Sequence, residues 1–205
     1  MKRGTGTLTL EAGVLAATPN IDVEGGRVKI GDDAVVGAAG MDGGTITVKD
    51  GGQFDVNYND ATGAADRPRA LITNKKKFVI EGDGPDGQGA LISSSTTTAW
   101  NNALNGGVEL TGDATVGGQG RLEIRSKAVS GPTNVTLTVK MSGGYGFGVN
   151  SAISVGKVVV PEEGRLKFES SALSIDVPHG FDLSGIMKFY NANPTWNASG
   201  INVYG

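Results

Sequence analysis

The sequence contains no cysteine. Disulfides therefore cannot staple the fold, and thiol catalysis and cysteine-ligated metals are excluded. A single histidine, His179, excludes any site that needs two. Proline is scarce, at 7 of 205 residues, which sets the chain apart from Pro/Gly-rich disordered segments. Neither sign of charge dominates: a formal net charge of -3 gives no general electrostatic reason to bind nucleic acid or an anionic membrane. No apolar run approaches the ~18 residues needed for a membrane-spanning helix. Met1-Lys2-Arg3-Gly4 does not open a signal-peptide apolar region. A cytosolic protein or an internal piece of a longer secreted chain both fit that start. The second is expected, because the pattern described next is already running at both ends.

Glycine is what the chain has in excess: 34 residues, against an average near 7%. There is no strict G-X-Y period, so collagen is excluded. Gly43-Gly44-Thr45-Ile46-Thr47-Val48 and Gly51-Gly52-Gln53-Phe54-Asp55-Val56 are two copies of one unit, a glycine pair followed by alternating residues. Alternation places Ile46, Val48, Phe54 and Val56 on one face and Thr47 on the other. Variants recur along the chain: Leu8/Leu10, Val28/Ile30, Phe78/Ile80, Val108/Leu110, Leu122/Ile124, Leu137/Val139, Phe147/Val149, Ile153/Val155 and Ile201/Val203. After Leu166/Phe168 the phase slips by one before Leu173/Ile175/Val177, which calls for a corner or bulge near Ser170-Ser171. Asn59 to Arg69 is polar and without period, an excursion loop. Leu91 to Asn105 is the one stretch with helical spacing, through Ala99, Trp100, Ala103 and Leu104.

Many short alternating segments bounded by turn residues fit two all-β architectures. One is a right-handed parallel β-helix, or β-solenoid, with short strands and Gly, Asn and Asp at its corners. The other is a β-sandwich, for which Asp50-Gly51 and Asn105-Gly106 supply hairpin-type turns. The number of segments favours a single solenoid over residues 1–205, of roughly eight to ten coils at about 20–25 residues each.

Lys2-Arg3-Gly4-Thr5-Gly6-Thr7-Leu8-Thr9-Leu10 resembles the autotransporter-associated β-strand repeat, lysine-x-glycine-x-glycine-threonine-leucine-x-leucine. The match covers nine residues. It implies a right-handed parallel β-helix in a long bacterial surface or secreted protein, and it carries no catalytic residues to transfer.

Candidate chemistry is sparse. Asp32-Asp33, Arg165-Leu166-Lys167 and His179-Gly180 are similar to elements of polygalacturonase-like enzymes, but in a different chain order and with Pro178 in place of a glycine. Asp32-Asp33 reads as a solvated turn and His179 as a surface residue. Glu81 to Gly89 gathers Asp83 and Asp86 with Glu81, oxygen donors of the kind calcium takes, although one copy of such a turn usually faces water. Lys75-Lys76-Lys77 reads as an exposed strand entry. Trp100, Tyr145 and Trp196 are the aromatic candidates for stacking on sugar rings, against a default role in the core or at its ends. No catalytic residues emerge, and the lack of an ordered acidic constellation weighs against an enzyme.

The expected role is therefore structural or adhesive, in a secreted or cell-surface bacterial protein whose ligand is a polysaccharide or host surface. A carbohydrate-active β-helix, as polysaccharide lyase or glycan-binding module, is the alternative. A trimeric viral tail-fibre segment is a third. Uncovered coil ends also predict weak end-to-end self-association near Leu8, Leu10, Ile201, Val203 and Tyr204.

Overall fold

The computed structural model describes residues 1–10, 20–30, 44–56, 76–95, 103–170, 173–190 and 193–205. Asp32-Asp33, the Asn59 to Arg69 excursion, Lys75, Trp100 and Ser171 lie outside them. The strands are β1 Thr7–Leu10, β2 Ile21–Val23, β3 Gly26–Ile30, β4 Thr45–Val48, β5 Gly52–Asp55, β6 Lys77–Gly82 and β7 Leu91–Ser93. There follow β8 Ala103–Leu104, β9 Val108–Gly118, β10 Leu122–Ile124, β11 Val129–Ser130, β12 Thr136–Met141, β13 Phe147–Val149 and β14 Ala152–Ser154. The last are β15 Lys157–Val160, β16 Arg165–Phe168, β17 Ser174–Val177, β18 Phe181–Leu183, β19 Ile186–Phe189, β20 Thr195–Ala198 and β21 Ile201–Val203.

Their pairing is parallel throughout and forms three stacks. The first runs β1-β3-β5-β7-β9-β12-β15-β18-β21. The second runs β2-β4-β6-β9-β11-β14-β17-β20. The third runs β8-β10-β13-β16-β19. From β9 onward the chain visits the second, first and third stacks in turn and then repeats, so the fold is a parallel β-solenoid. Neighbouring strands in sequence do not pair with each other, which excludes the sandwich. Asp50-Gly51 turns the chain from β4 in one stack to β5 in another, with Gly51 at φ +80°, a conformation glycine adopts without Cβ strain. The turn residues that suggested hairpins are corner residues.

Alternation puts one side chain in two inside, and the inward set forms one hydrophobic cluster from Leu10 to Leu183. Ile46, Val48, Phe54 and Val56 are all buried, while Thr47 is half-buried. Phe54 meets Phe78 edge to face at 5.5 Å between ring centres, a favoured geometry. The phase slip after Phe168 falls where the chain leaves β16 in the third stack for β17 in the second. A corner resets the alternation there, since each stack presents its own inner side. One further irregularity lies elsewhere: β9 passes from the second stack to the first without a break, with a register shift opposite Ile80 and Gly82.

Two expectations are corrected. Leu91 to Asn105 is not helical where it is described: Leu91–Ser93 and Ala103–Leu104 are strands that stack in parallel. Each described end finds a parallel partner in an adjacent coil, which sets its strand conformation; Ala99 and Trp100, the other carriers of the helical spacing, lie outside the described residues. Lys76 is not an exposed strand-entry residue but 1% exposed, and burial pushes its ammonium pKa down. Lys77 beside it stays at the surface and pairs with Glu109.

Candidate functional site

Outward positions on a solenoid normally face water. The third stack is an exception. Along β10, β13, β16 and β19, residues Glu123, Gly148, Lys167 and Lys188 stand side by side in register, pointing away from the core that Leu122, Phe147 and Leu166 fill. Glu123 is nevertheless 2% exposed, Lys167 6%, and Arg121, just before β10, 5%. The cause is Gly148. It supplies no side chain, and Glu123 lies across the gap: a Cβ at position 148 would come within 2.9 Å of Glu123 Cγ. Gly146, one outward position earlier at φ +64°, is tighter still, because a Cβ there would approach the Arg165 carbonyl oxygen to 2.4 Å. Two small residues on one coil thus leave a trough between two charged rows.

The rows close over it. The Glu123 carboxylate is held between two guanidinium groups, Arg121 on one oxygen and Arg125 on the other. The Arg125 contacts are 2.6 Å from Nη2 and 2.8 Å from Nε. Arg121 also reaches Glu169 at 3.8 Å. Tyr145, on the turn that leads into β13, forms the cover: its ring centre lies 4.9 Å from the Arg121 guanidinium and 4.7 Å from Lys167 Nζ. Tyr190 flanks Lys167 at 5.8 Å. Both distances to Tyr145 are in cation–π range. Burial pulls the Lys167 pKa below the ordinary lysine value, with Glu169 opposing and Arg121, Lys188 and Arg165 adding to the fall. Burial likewise lowers the Arg121 pKa, with Glu169 opposing. The site contains three cations, two carboxylates and two tyrosines about 40% exposed, Tyr145 37% and Tyr190 45%. Such a set can hydrogen-bond hydroxyl groups and pair with a carboxylate.

The candidate residues from the sequence fall differently. Tyr145 belongs to this cluster, but its ring is already engaged by two cations. Trp196 lies in β20, in the last coil, stacked on Phe181 at 5.4 Å between ring centres; it is not near Tyr145 in the strand order. Trp100 lies outside the described residues. Asp83 and Asp86 sit in the turn between β6 and β7, and each is engaged by a side chain of a neighbouring strand. Asp83 Oδ1 accepts from the Thr115 hydroxyl, and Asp86 Oδ1 accepts from Gln53 Nε2 at 2.9 Å and the Gln88 amide at 3.0 Å. Asp83 also borders an open depression with Asp50, Glu81 and Asp113. Glu81 there is bound by the Thr111 hydroxyl and by Lys49 at 3.4 Å, and Asp113 by the Thr136 amide. Among the described residues no three acidic or histidine side chains converge as a metal-holding group. His179 is exposed in the turn between β17 and β18.

Sequence reasoning passed over Arg121, Glu123, Arg125 and Glu169. A signal was present: Arg121-Leu122-Glu123-Ile124-Arg125 puts a charge of alternating sign at every outward position, and Gly146-Phe147-Gly148 empties the same positions one coil later. Neither segment looks unusual alone, and only stacking brings them together. No protein-family model, curated protein or solved structure matches the chain. The resemblance to the autotransporter-associated repeat therefore rests on the nine residues that carry it.

Proposed function

We propose that the chain is a structural β-solenoid segment, a rigid spacer of a secreted or cell-surface bacterial protein that holds other parts at a distance. The observation that supports this is the single core running without interruption from Leu10 to Leu183. Each inner coil is fixed to the coils on both sides by parallel backbone pairing, so the paired strands leave no joint at which the molecule can fold back. With adjacent strands about 4.8 Å apart, the nine strands of the first stack span roughly 40 Å. The autotransporter-like opening supports the same setting.

A second reading, glycan binding, is favoured by one feature: half-exposed Tyr145 and Tyr190 beside buried Lys167 and Arg121. Its ligand would be an acidic polysaccharide, whose carboxylates pair with the cations while a tyrosine face meets the ring. One experiment separates the two readings. The chain is run through gels containing polygalacturonate, alginate or a neutral glucan, and the same polymers are assayed for cleavage. A spacer migrates unretarded and leaves the polymers intact. Retardation by the acidic polymers alone, lost in Lys167→Ala, would replace the spacer reading with the second; cleavage would make the chain an enzyme.

A further inference from the structure

Two buried carboxylates on the outside of the solenoid each meet guanidinium groups: Asp55 meets Arg27, and Glu123 meets Arg121 and Arg125. Lys167 differs. It is 6% exposed. Among the described residues, however, its ammonium has neither a hydrogen-bond acceptor nor a carboxylate at ion-pair distance. Its close partners are two aromatic faces, Tyr145 at 4.7 Å and Tyr190 at 5.8 Å. A ring face attracts a cation, but it offers no oxygen to the three N–H donors of the ammonium. A buried cation without a counter-charge costs stability.

The neighbouring strands do not supply the counter-charge. β16 is paired on both sides, with β13 and β19, so Lys167 does not stand on an edge strand. In register with it are Gly148, which has no side chain, and Lys188, which repeats the positive charge one strand away, about 4.8 Å. Like charges directly opposite each other on adjacent strands are destabilising. The carboxylates of this face are committed elsewhere. Glu123 lies between two guanidinium groups, and Glu169 turns to Arg121 at 3.8 Å. The result is a buried ammonium aimed into the trough beside Gly148, with a second ammonium next to it and tyrosine rings around it.

We propose that Lys167 and Lys188 hold the carboxylate of a single uronic acid unit, with its sugar ring against Tyr190. This rests on the glycan-binding reading and narrows it, from a charged surface that attracts acidic polymers to one carboxylate read at one point. A carboxylate brings two oxygens, one for each ammonium, and a negative charge that relieves the repulsion between them. Tyr190, with one cation at 5.8 Å, has a freer face than Tyr145, which two cations flank.

An NMR titration of the 205-residue chain at low salt tests this, with galacturonate, galactose, acetate and inorganic phosphate as probes. Galacturonate should bind at one site. Galactose should not bind, and acetate and phosphate should bind at least about tenfold more weakly. Lys167→Met should weaken galacturonate binding about tenfold or more, the usual loss for a hydrogen bond to a charged group. Lys127→Met, at an exposed lysine between β10 and β11, should leave it unchanged. The ligand-free protein gives a second measure: Lys167→Met removes a buried cation that lacks a counter-charge, so the melting temperature should not fall. Three results would overturn the proposal: galacturonate bound equally by the native chain and Lys167→Met, acetate or phosphate bound as tightly as galacturonate, or a lower melting temperature in Lys167→Met. The last would show that the two rings satisfy the ammonium. Polygalacturonate that retards the chain while galacturonate does not bind would sink this subsite alone, leaving acidic polymers held by diffuse charge. With neither engaged, the glycan-binding reading falls as well.

Discussion

Among the described residues, the β5 row and the third-stack row both bury charge on the outside of the solenoid, and they do it by different means. On the first stack, Asp55 and Gln53 in β5 face outward yet are fully buried. The β6–β7 turn lies over Gln53, whose Nε2 donates to Asp86 and to the Gly89 carbonyl. Asp55 accepts from the Ser94 amide (3.0 Å) and hydroxyl (2.7 Å) and pairs with Arg27 at 2.5 Å. Backbone supplies much of that cover. On the third stack, the contacts that cover Glu123 and Lys167 among the described residues come from side chains: two arginines and Tyr145. A backbone amide is fixed by the strand or turn that carries it, whereas a guanidinium can swing to water. The first arrangement is closed, a brace that ties three coils together. The second can open without disturbing a strand, and this is why the candidate site is placed there.

The inner face sets the scale for breaking that comparison. Phe54 lies between Gln53 and Asp55 but points into the core, and Phe54→Ala should cost about 3–5 kcal/mol through lost burial and a residual cavity. Thr47→Ala, on an outward position, should stay within about 0.5 kcal/mol; equal effects in urea unfolding would mean the inward and outward sides are exchanged. Asp55→Ala comes next. It leaves the Ser94 amide and the Arg27 guanidinium without their acceptor and should cost about 2–4 kcal/mol. Glu123→Ala removes an equally buried carboxylate; Arg125 is already 38% exposed and can turn outward, and Arg121, though buried, keeps Glu169 at 3.8 Å as a second carboxylate. Its cost should be about 1–3 kcal/mol, below that of Asp55→Ala. If the two alanine variants are equally destabilised, the distinction between a closed and an openable site fails.

The parts of this structure that were legible in the sequence are those fixed within one coil. Alternation at Ile46/Val48 and Phe54/Val56 assigns the inner face, and the crowd of glycine-bounded segments selects a solenoid over a sandwich. The phase slip before Leu173 marks a corner. What sequence cannot supply is the pairing between coils, because the spacing varies: Val158 stacks on Phe181, 23 residues on, but Phe54 on Leu91, 37 residues on. Without that register, Gly148 cannot be seen to lie between Glu123 and Lys167, and Tyr145 reads as a free aromatic platform when it is a lid. Lys76 shows the same limit. A run of three lysines argues for exposure, and only the surroundings of one of them decide otherwise.

The smallest expected effect is the one that sharpens the comparison most. Tyr145→Ala removes the lid from Lys167 and Arg121. Lost cation–π contact should cost about 0.5–1 kcal/mol at neutral pH, and relief of the Lys167 burial penalty offsets part of it. The pH dependence is more telling. In the folded protein the Lys167 pKa lies below its ordinary value, burial being the main cause. Below the folded pKa both states carry the proton, and the penalty for burying the cation is present in full. Between the folded pKa and the ordinary lysine value the unfolded chain binds the proton and the folded chain has released it. Stability therefore gains an upward contribution from Lys167 as pH rises through that window. In Tyr145→Ala the ammonium is open to water, its pKa returns toward the ordinary value, and the contribution shrinks. The stability gap between native and variant should consequently widen as pH rises through the alkaline range, although it is small at pH 7. Introducing Lys167→Met into both backgrounds removes the titrating group and should make the gap independent of pH, which separates Lys167 from the other lysines and tyrosines that titrate there. A gap that stays flat with Lys167 present would show that β16 and its neighbours bury this amine by themselves. The third-stack cluster would then be as closed as the one around Asp55.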